Sequence, residues 1–153
     1  MGKQSAGILL YRRKHDRLEV LLVHPGGPFW VKKDLGAWSI PKGEFEEEGG
    51  LSAAKREFLE ETGTPLVGEP LRLNQQKQKG GKIIFAWALE GDLDPKEIKS
   101  NTFEMEWPPK SGKKGRFPEI DKGEWFPAKE ALKKINQGQA GFIHELMDRL
   151  GIG

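Results

Sequence analysis

The chain has 153 residues, of which 36% are hydrophobic and 31% are charged, a composition typical of a soluble globular protein. Its 25 basic and 23 acidic residues leave a net charge of +2, which is too small to indicate nucleic-acid binding by itself. No apolar run approaches the roughly 20 residues that a membrane-spanning helix needs, and the absence of cysteine excludes disulfides and thiolate metal sites.

The length favours a single domain over residues 1–153. Residues 1–5 lack the apolar segment of a secretory signal peptide, and a chain without cysteine is compatible with a reducing compartment. We therefore expect a cytoplasmic protein that does not contact membranes and that exists as a monomer or a homodimer.

Two apolar runs, 6–11 and 18–24, flank the polar segment 12–17 and predict a β-hairpin. A third short strand is predicted over 36–40. It leads directly into Pro41-Lys42-Gly43, which predicts a turn because proline and glycine interrupt a strand.

A helix is predicted over 51–62, because Leu51, Ala54 and Phe58 recur at helical spacing. Gly63 follows as the residue type that ends helices in the left-handed conformation.

Three carboxylates of this helix, Glu57, Glu60 and Glu61, fall at i, i+3 and i+4 and therefore share one face. Like charges at this spacing repel, and a bound cation would relieve the repulsion. Hard oxygen ligands of this kind suit Mg²⁺ or Mn²⁺. The alternative interpretation is a solvated acidic helix face, which is what most charge runs are.

The segment Gly43–Thr64 resembles the signature of the Nudix hydrolase superfamily, G-x5-E-x7-R-E-U-x-E-E-x-G-U, in which U is a bulky aliphatic residue. Glu48 precedes Arg56 by the spacing of that signature, and the run from Arg56 to Gly63 follows it without a break. The loop between Gly43 and Glu48 is one residue short. Glu48 is either displaced by this deletion or still reaches the metal; we expect the second, because its register with Arg56 is kept.

The rest of the chain predicts an α/β fold, and the resemblance implies an α/β/α sandwich with a mixed β-sheet. The most hydrophobic run, 83–89, predicts a central strand buried on both faces. The other predicted elements are an interrupted edge strand over 66–73, a strand over 98–107, a flexible basic loop over 110–117, a short strand ending at 125–126, and helices over 127–136 and 140–150.

The resemblance implies metal-dependent hydrolysis of a nucleoside diphosphate linked to another group. It assigns the metal to Glu57, Glu60, Glu61 and the backbone carbonyl of Gly43, and it gives Arg56 the task of orienting a metal-binding carboxylate. As general base we choose Glu119, which precedes the late strand, with Glu124 and Glu104 as rivals.

The substrate is expected to be a small nucleotide, with a lean towards nucleoside triphosphates or dinucleoside polyphosphates because of the lysine-rich segments. Lys42 and Lys79 are the candidate phosphate contacts. Trp38, Phe103 and Trp107 are candidates for stacking on a base and equally for packing in the core. Two alternatives stay open: a Nudix-fold sensor that binds a nucleotide without cleaving it, and an RNA-binding module that uses the segment 110–116.

Overall fold

A computed structural model describes residues 3–46 and 49–152 of the chain. The strands of these residues are β1 (Gln4–Lys14), β2 (Arg17–Pro25), β3 (Lys42–Glu44), β4 (Leu71–Arg72), β5 (Gln76–Lys77), β6 (Ile83–Glu90), β7 (Thr102–Glu106), β8 (Lys114–Pro118) and β9 (Ile120–Pro127). The helices are α1 (Gly50–Thr62), α2 (Ala128–Lys134) and α3 (Ala140–Arg149), with short 3-10 turns at Pro95–Glu97 and Gln137–Gln139. None of the helices in these two ranges is long and apolar enough to cross a membrane.

The main sheet has the strand order β4-β6-β1-β2-β9, with β3 beside β1 and β5 beside β6. The predicted hairpin is formed by the antiparallel pair β1 and β2. Strand β6 runs parallel to β1, whereas its neighbours β4 and β5 are antiparallel to it. The mixed sheet predicted from the sequence is therefore confirmed.

The central strand β6 supplies side chains to two separate hydrophobic cores. Ile84, Ala86 and Ala88 lie in the core that also contains residues of α2 and α3. Trp87 and Leu89 lie in the core that contains residues of α1. Because successive side chains of a strand point to opposite faces, helices cover both faces of the sheet. This is the predicted α/β/α sandwich.

Helix α1 begins one residue before its predicted start and ends where predicted. Its buried residues Ala53, Ala54 and Phe58 face the sheet. Gly63 ends the helix in the left-handed conformation with φ 75°, and its backbone N–H donates to the Leu59 carbonyl at 2.8 Å. Arg56 and Glu60 are exposed on this helix, whereas Glu61 is buried.

Two predictions around the entry to this helix are wrong. Residues 36–40 form no regular strand, since Trp38 and Ser39 make only isolated bridges, to Ile135 and Val23. The predicted turn Pro41-Lys42-Gly43 is instead the start of strand β3, which pairs with β1. Pro41 lies just outside β3, where its carbonyl accepts a hydrogen bond from the Ile8 N–H. Proline has no N–H, and at this position the pairing with β1 does not need one.

The predicted strand over 66–73 is reduced to the two residues of β4, at the edge of the sheet as expected. Gly68, at φ 117°, adopts a conformation that a strand does not continue through. The predicted strand over 98–107 is shortened to β7, and the late strand β9 is longer than predicted.

The second half of the segment predicted as a flexible basic loop, 110–117, is a strand. Strand β8 pairs antiparallel with β7, with Thr102 opposite Pro118 and Glu106 opposite Lys114. We call this two-stranded unit, residues 102–118, the hairpin arm. The rings of Phe103 and Phe117 lie 6.0 Å apart across it, a cross-strand pair of the kind that stabilises hairpins.

A buried ion pair in the first hairpin yields a stability prediction. Glu19 is 5% exposed and accepts hydrogen bonds from Arg12 at 2.8 Å and from Arg17 at 3.1 Å. Burial alone raises the pKa of Glu19, but the bonds and charges of these arginines outweigh it and the pKa is lowered from 4.5. The stabilisation is therefore present above the ordinary pKa and is lost as the pH falls through the lowered one.

We expect Glu19→Gln to reduce the free energy of unfolding by about 1–3 kcal/mol at pH 7, the usual range for a lost hydrogen bond to a charged group. The difference from the parent protein should shrink as the pH falls below 4.5. Urea denaturation at several pH values measures this, with the exposed Glu69→Gln as control. An equal loss at pH 7 and at pH 3 would contradict the ionic origin.

Candidate active site

The acidic face of α1 is ordered by Arg56. Its Nη1 atom lies 2.9 Å from Glu57 Oε1 and 3.5 Å from Glu60 Oε1. The guanidinium therefore sits between the two carboxylates, offsets part of their repulsion and fixes the rotamer of Glu57. The pairing that the resemblance assigned to Arg56 is present in the structure.

Strand β3 brings the backbone of Gly43 against the same carboxylate. A Cβ atom built at Gly43 would lie 2.1 Å from Glu57 Cδ and 2.4 Å from Glu57 Oε2. A side chain in that space would have to displace the end of the Glu57 side chain, so glycine allows the close approach of backbone and carboxylate. The strand is held in this position by pairing with β1, with Gly43 opposite Ala6.

This contact leads to a prediction for Gly43→Ala. The added methyl group must displace the Glu57 side chain, and misplacing a catalytic group by about 1 Å costs on the order of 100-fold in rate. We expect kcat to fall by about that factor while circular dichroism and the melting temperature change little. Gly49→Ala is the matched control, because a Cβ there meets nothing within 4 Å. Full activity of Gly43→Ala would show that Glu57 need not stay where it is.

Glu61 is the most unusual group of the site. It is 9% exposed, and no described residue donates a hydrogen bond to its Oε2 atom. Burial, with the charge of Glu57 next in size, raises the pKa of Glu61 to about 8, against the opposing influence of Lys42. A buried carboxylate oxygen without a partner is costly in a protein interior unless a ligand completes it.

These residues fit a divalent metal ion. The site offers an unpartnered carboxylate oxygen on Glu61, the adjacent carboxylate of Glu57 and a closely packed glycine backbone, all of them hard oxygen donors. Within residues 3–46 and 49–152, no three His, Asp or Glu side chains are already grouped around one point. The backbone carbonyl of Gly43 is a further oxygen donor that is not a side chain. Glu48 lies outside the described residues.

Glu119 lies close enough to this cluster for its charge to act on it. Its negative charge raises the pKa of both Glu57 and Glu61. Glu119 is exposed and joins β8 to β9, and its backbone is fixed at both ends: the N–H donates to the Asn101 carbonyl at 2.8 Å, and the carbonyl accepts from Gly26 at 2.9 Å. The side chain is thus free to move on an anchored backbone.

The two rival bases lie in other surroundings. Glu104 forms an ion pair with Arg116 at 3.1 Å across the hairpin arm. Glu124 is exposed on β9, and its charge acts on Lys134 of α2, in the opposite layer of the sandwich.

The candidate phosphate contacts are separated by the structure. Lys42 lies beside Glu61 and Lys82, and burial, followed by the charge of Lys82, lowers its pKa. Lys79 is exposed in the turn between β5 and β6. Lys82, which the sequence analysis did not select, lies 3.7 Å from Glu44 of β3 and is the lysine nearest to Lys42 in this turn region. No sequence signal separated it from the other lysines, because its position depends on the pairing of β6 with β1.

The prediction that Trp38 stacks on a nucleotide base is wrong. Its side chain is 2% exposed and belongs to the core beneath α2 and α3. The ring packs edge-on against His24 and Phe126, and its Nε1–H donates to Asp34 at 2.9 Å. A residue enclosed in this way fixes the segment before β3 and has no face left for a ligand.

The comparisons with known proteins agree with this architecture. The NUDIX domain family model matches residues 1–146. A search of curated proteins finds no match to this chain.

Among solved structures, the NUDIX domain of Shewanella oneidensis NrtR complexed with ADP ribose superposes with a TM-score of 0.66 at 16% identity, covering 98% of this chain and 89% of that one. A C. elegans Ap4A hydrolase in a binary complex superposes with a TM-score of 0.65 at 17% identity, covering 96% of this chain and 98% of that one. A mutT/nudix family protein from Listeria innocua superposes with a TM-score of 0.64 at 16% identity, covering 97% of this chain and 94% of that one. The chain therefore belongs to the NUDIX domain family and is a Nudix-type nucleotide pyrophosphohydrolase, an enzyme class that cleaves pyrophosphate bonds in nucleoside diphosphate derivatives.

Proposed function

We propose that this chain, acting as one Nudix domain over residues 1–153, hydrolyses a pyrophosphate bond in a nucleoside diphosphate linked to another group, with Mg²⁺ or Mn²⁺ as cofactor. The observation that carries the proposal is the buried, unpartnered Oε2 atom of Glu61 beside Glu57. A surface acidic patch would expose such an oxygen to water, whereas a metal site must keep it free of protein donors.

Glu57, Glu60 and Glu61 would hold the metal through their carboxylates, together with the backbone carbonyl of Gly43. A bound divalent ion neutralises charge on the pyrophosphate oxygens and makes a water molecule more acidic. Because the pKa of Glu61 is raised to about 8, this carboxyl is protonated at neutral pH until a cation takes the place of the proton. Metal binding is therefore expected to release a proton.

Arg56 is a positioning residue in this scheme. It holds Glu57 by a charge-assisted hydrogen bond of 2.9 Å and reaches Glu60 at 3.5 Å. Glu57 is thereby kept against Gly43 of β3. Partners of this kind typically change metal affinity or activity by about 10–100-fold when they are removed.

Glu119 acts as the general base. Its charge raises the pKa of Glu57 and of Glu61, which supports a position near the water that would attack a substrate held at the helix. An exposed carboxylate on an anchored backbone is able to accept the proton of the attacking water and to release it to solvent.

Lys42 and Lys82 are suited to bind the phosphate groups that do not react. Burial and, next in size, the charge of Lys82 lower the pKa of Lys42. A phosphate placed between the two lysines would offset that charge. Lys79, at the exposed turn, is proposed to contact a more distant part of the substrate.

Nucleoside triphosphates and dinucleoside polyphosphates are the proposed substrates, because several lysines flank the site. The printed names of two structural neighbours mention nucleotides: one is complexed with ADP ribose, and another is an Ap4A hydrolase. Both ligands are nucleoside diphosphate derivatives, which fits the substrate class proposed for this chain.

A panel of nucleotides assayed for phosphate or monophosphate release, with Mg²⁺, with Mn²⁺ and with a chelator, tests the proposal. We expect metal-dependent release from at least one dinucleoside polyphosphate or nucleoside triphosphate. Binding of a nucleotide without any release would instead identify a sensor. Binding of single-stranded RNA alone would identify an RNA-binding module centred on the hairpin arm.

A further inference from the structure

A groove of about 760 Å³ lies between the β1–β2 turn, the start of α2 and the end of α3. It is lined by residues 13, 15–18, 127–129, 147 and 152, and we call it the turn groove. Sites for small molecules typically have volumes of roughly 300–1,000 Å³. The turn groove is therefore large enough to hold a small organic molecule.

The turn groove is remote from the acidic face of α1. Gly43 lies opposite Ala6 on β1, and Arg13 follows seven residues later on the same strand. At about 3.3 Å per residue, this places Arg13 roughly 23 Å from Ala6. Leu18 and Met147 belong to the core beneath α2 and α3, whereas α1 packs on the other core. The groove is thus separate from the candidate active site.

The buried residues that line the turn groove are apolar. Leu18 is 4% exposed and Met147 is 8% exposed. Ile152, which is half-buried, packs against the same core. Because covering apolar surface that is open to water is favourable, the floor of the groove can take up the apolar part of a ligand.

The exposed residues that line the turn groove are mostly basic. Among the described residues, three of these are cationic, Arg13, Arg17 and Lys129, and one is acidic, Asp16. Arg17 donates to Glu19 at 3.1 Å. Arg13 and Lys129 form no ion pair with any residue of 3–46 or 49–152. Two cations at the edge of an apolar floor complement a ligand that joins an apolar body to a negative charge.

The wall formed by the β1–β2 turn has a defined shape. His15 and Asp16 have φ values of 53° and 60°. Two successive positive φ values are those of a type I′ turn, whose twist matches that of a β-hairpin. Arg13 lies opposite Leu18 in this hairpin, and directly paired residues carry their side chains on the same face. The register of the hairpin therefore holds the Arg13 charge next to the apolar floor.

The wall at the end of α3 is also fixed. Gly151 has φ 70°, and the Ile152 N–H donates to the Met147 carbonyl at 2.8 Å, as in the Schellman motif that ends many helices. The Gly151 N–H donates to the Asp148 carbonyl at 3.1 Å. Carbonyl oxygens at the negative end of the helix thus accept hydrogen bonds from the chain itself. A groove formed in advance binds its ligand with little loss of conformational entropy in the protein.

We infer that the turn groove is a second binding site, for a small organic anion. The phosphate or carboxylate group of this ligand binds Arg13 and Lys129, and its apolar part covers Leu18, Met147 and Ile152. Both parts are needed, because a free phosphate would meet only exposed cations and a neutral apolar molecule would leave those cations unused. The site does not rest on the proposed function, since no group of the candidate active site takes part in it.

The first test compares simple ligands by isothermal titration calorimetry of the full chain without added metal, below their micelle concentrations. Octyl phosphate and octanoate should bind, and 1-octanol and inorganic phosphate should bind at least about tenfold more weakly. Each buried methylene contributes a factor of about four to affinity, so hexyl phosphate should bind up to about 15-fold more weakly than octyl phosphate. The tighter of octyl phosphate and octanoate identifies the preferred head group.

The second test removes the two cations. An exposed ion pair contributes up to about fivefold in affinity, so the double variant Arg13→Gln, Lys129→Gln should bind octyl phosphate about 5- to 25-fold more weakly. Its weak affinity for 1-octanol should not change. The matched control is Lys14→Gln, Lys133→Gln, which removes two exposed charges from the same two elements outside the groove and should bind as the parent protein does.

Nuclear magnetic resonance locates the bound octyl phosphate. Backbone amide signals of residues 13–18, 128–129, 147 and 152 should shift, and those of residues 57–61 should not. Four results would overturn the inference: no binding of either anion, equal binding of 1-octanol and octyl phosphate, an equal loss in the control variant, or shifts confined to α1. Nucleotide hydrolysis enters none of these measurements, so failure of the proposed function would leave their outcome unaffected.

Discussion

Glu61→Gln is expected to abolish most of the hydrolytic activity while leaving the fold intact. Glutamine keeps the shape of the side chain but removes the charge that a divalent cation requires. Since even indirect partners of metal ligands contribute about 10–100-fold, loss of a ligand should lower kcat by more than about 100-fold. The neutral side chain also suits the buried position, so the melting temperature without metal should stay the same or rise.

The measurement is a steady-state assay across a range of Mg²⁺ concentrations for Glu61→Gln, Glu57→Gln and Glu60→Gln. Glu130→Gln is the control, because this exposed glutamate lies on α2 in the opposite layer of the sandwich. Binding of Mn²⁺, followed by electron paramagnetic resonance, should weaken in the same three variants. Full activity with unchanged metal dependence in both Glu60→Gln and Glu61→Gln would show that the acidic face of α1 is a solvated surface.

Glu119→Gln is expected to lower kcat by about 10²–10⁴-fold, the usual contribution of a positioned general base. KM and metal affinity should stay nearly constant, because Glu119 joins β8 to β9 and would act on the attacking water. Removing its charge should also lower the pKa of Glu57 and Glu61 slightly, since that charge raises both.

The rivals Glu124→Gln and Glu104→Gln serve as matched controls for this variant. Both should retain kcat within a few-fold. If Glu119→Gln is kinetically silent while Glu57→Gln is inactive at every pH, the base belongs to helix α1. A complete loss of activity in Glu124→Gln would instead assign the general base to Glu124 on β9.

Helix α1 and its acidic face were predictable because every signal involved is local. The spacing of Leu51, Ala54 and Phe58, and the glycine at position 63, lie within one short segment and dictate its conformation. The same holds for the hydrophobic run of β6, whose length and composition indicate a central strand.

Several of the failures concern residues whose conformation depends on a pairing or packing partner elsewhere in the chain. Strand β3 forms because its backbone pairs with β1. Strand β8 forms because its backbone pairs with β7. The burial of Trp38 follows from packing against Phe126, far away in the sequence. Propensity alone cannot supply such information, since strand formation reflects neighbours more than intrinsic preference.

The parallel pairing of β1 with β6, from Gln4–Ile83 to Tyr11–Glu90, has a consequence for how the site comes into being. Every residue of the segment Gly43–Thr64 is synthesised before β6, yet α1 packs on Trp87, and a Cβ at Gly50 would lie 2.9 Å from that ring. Closing so long a loop costs entropy before any contact stabilises it, which slows folding. A nascent chain that ends at residue 82 thus carries the complete motif without its support, and we expect the candidate site to form only after β6 has left the ribosome.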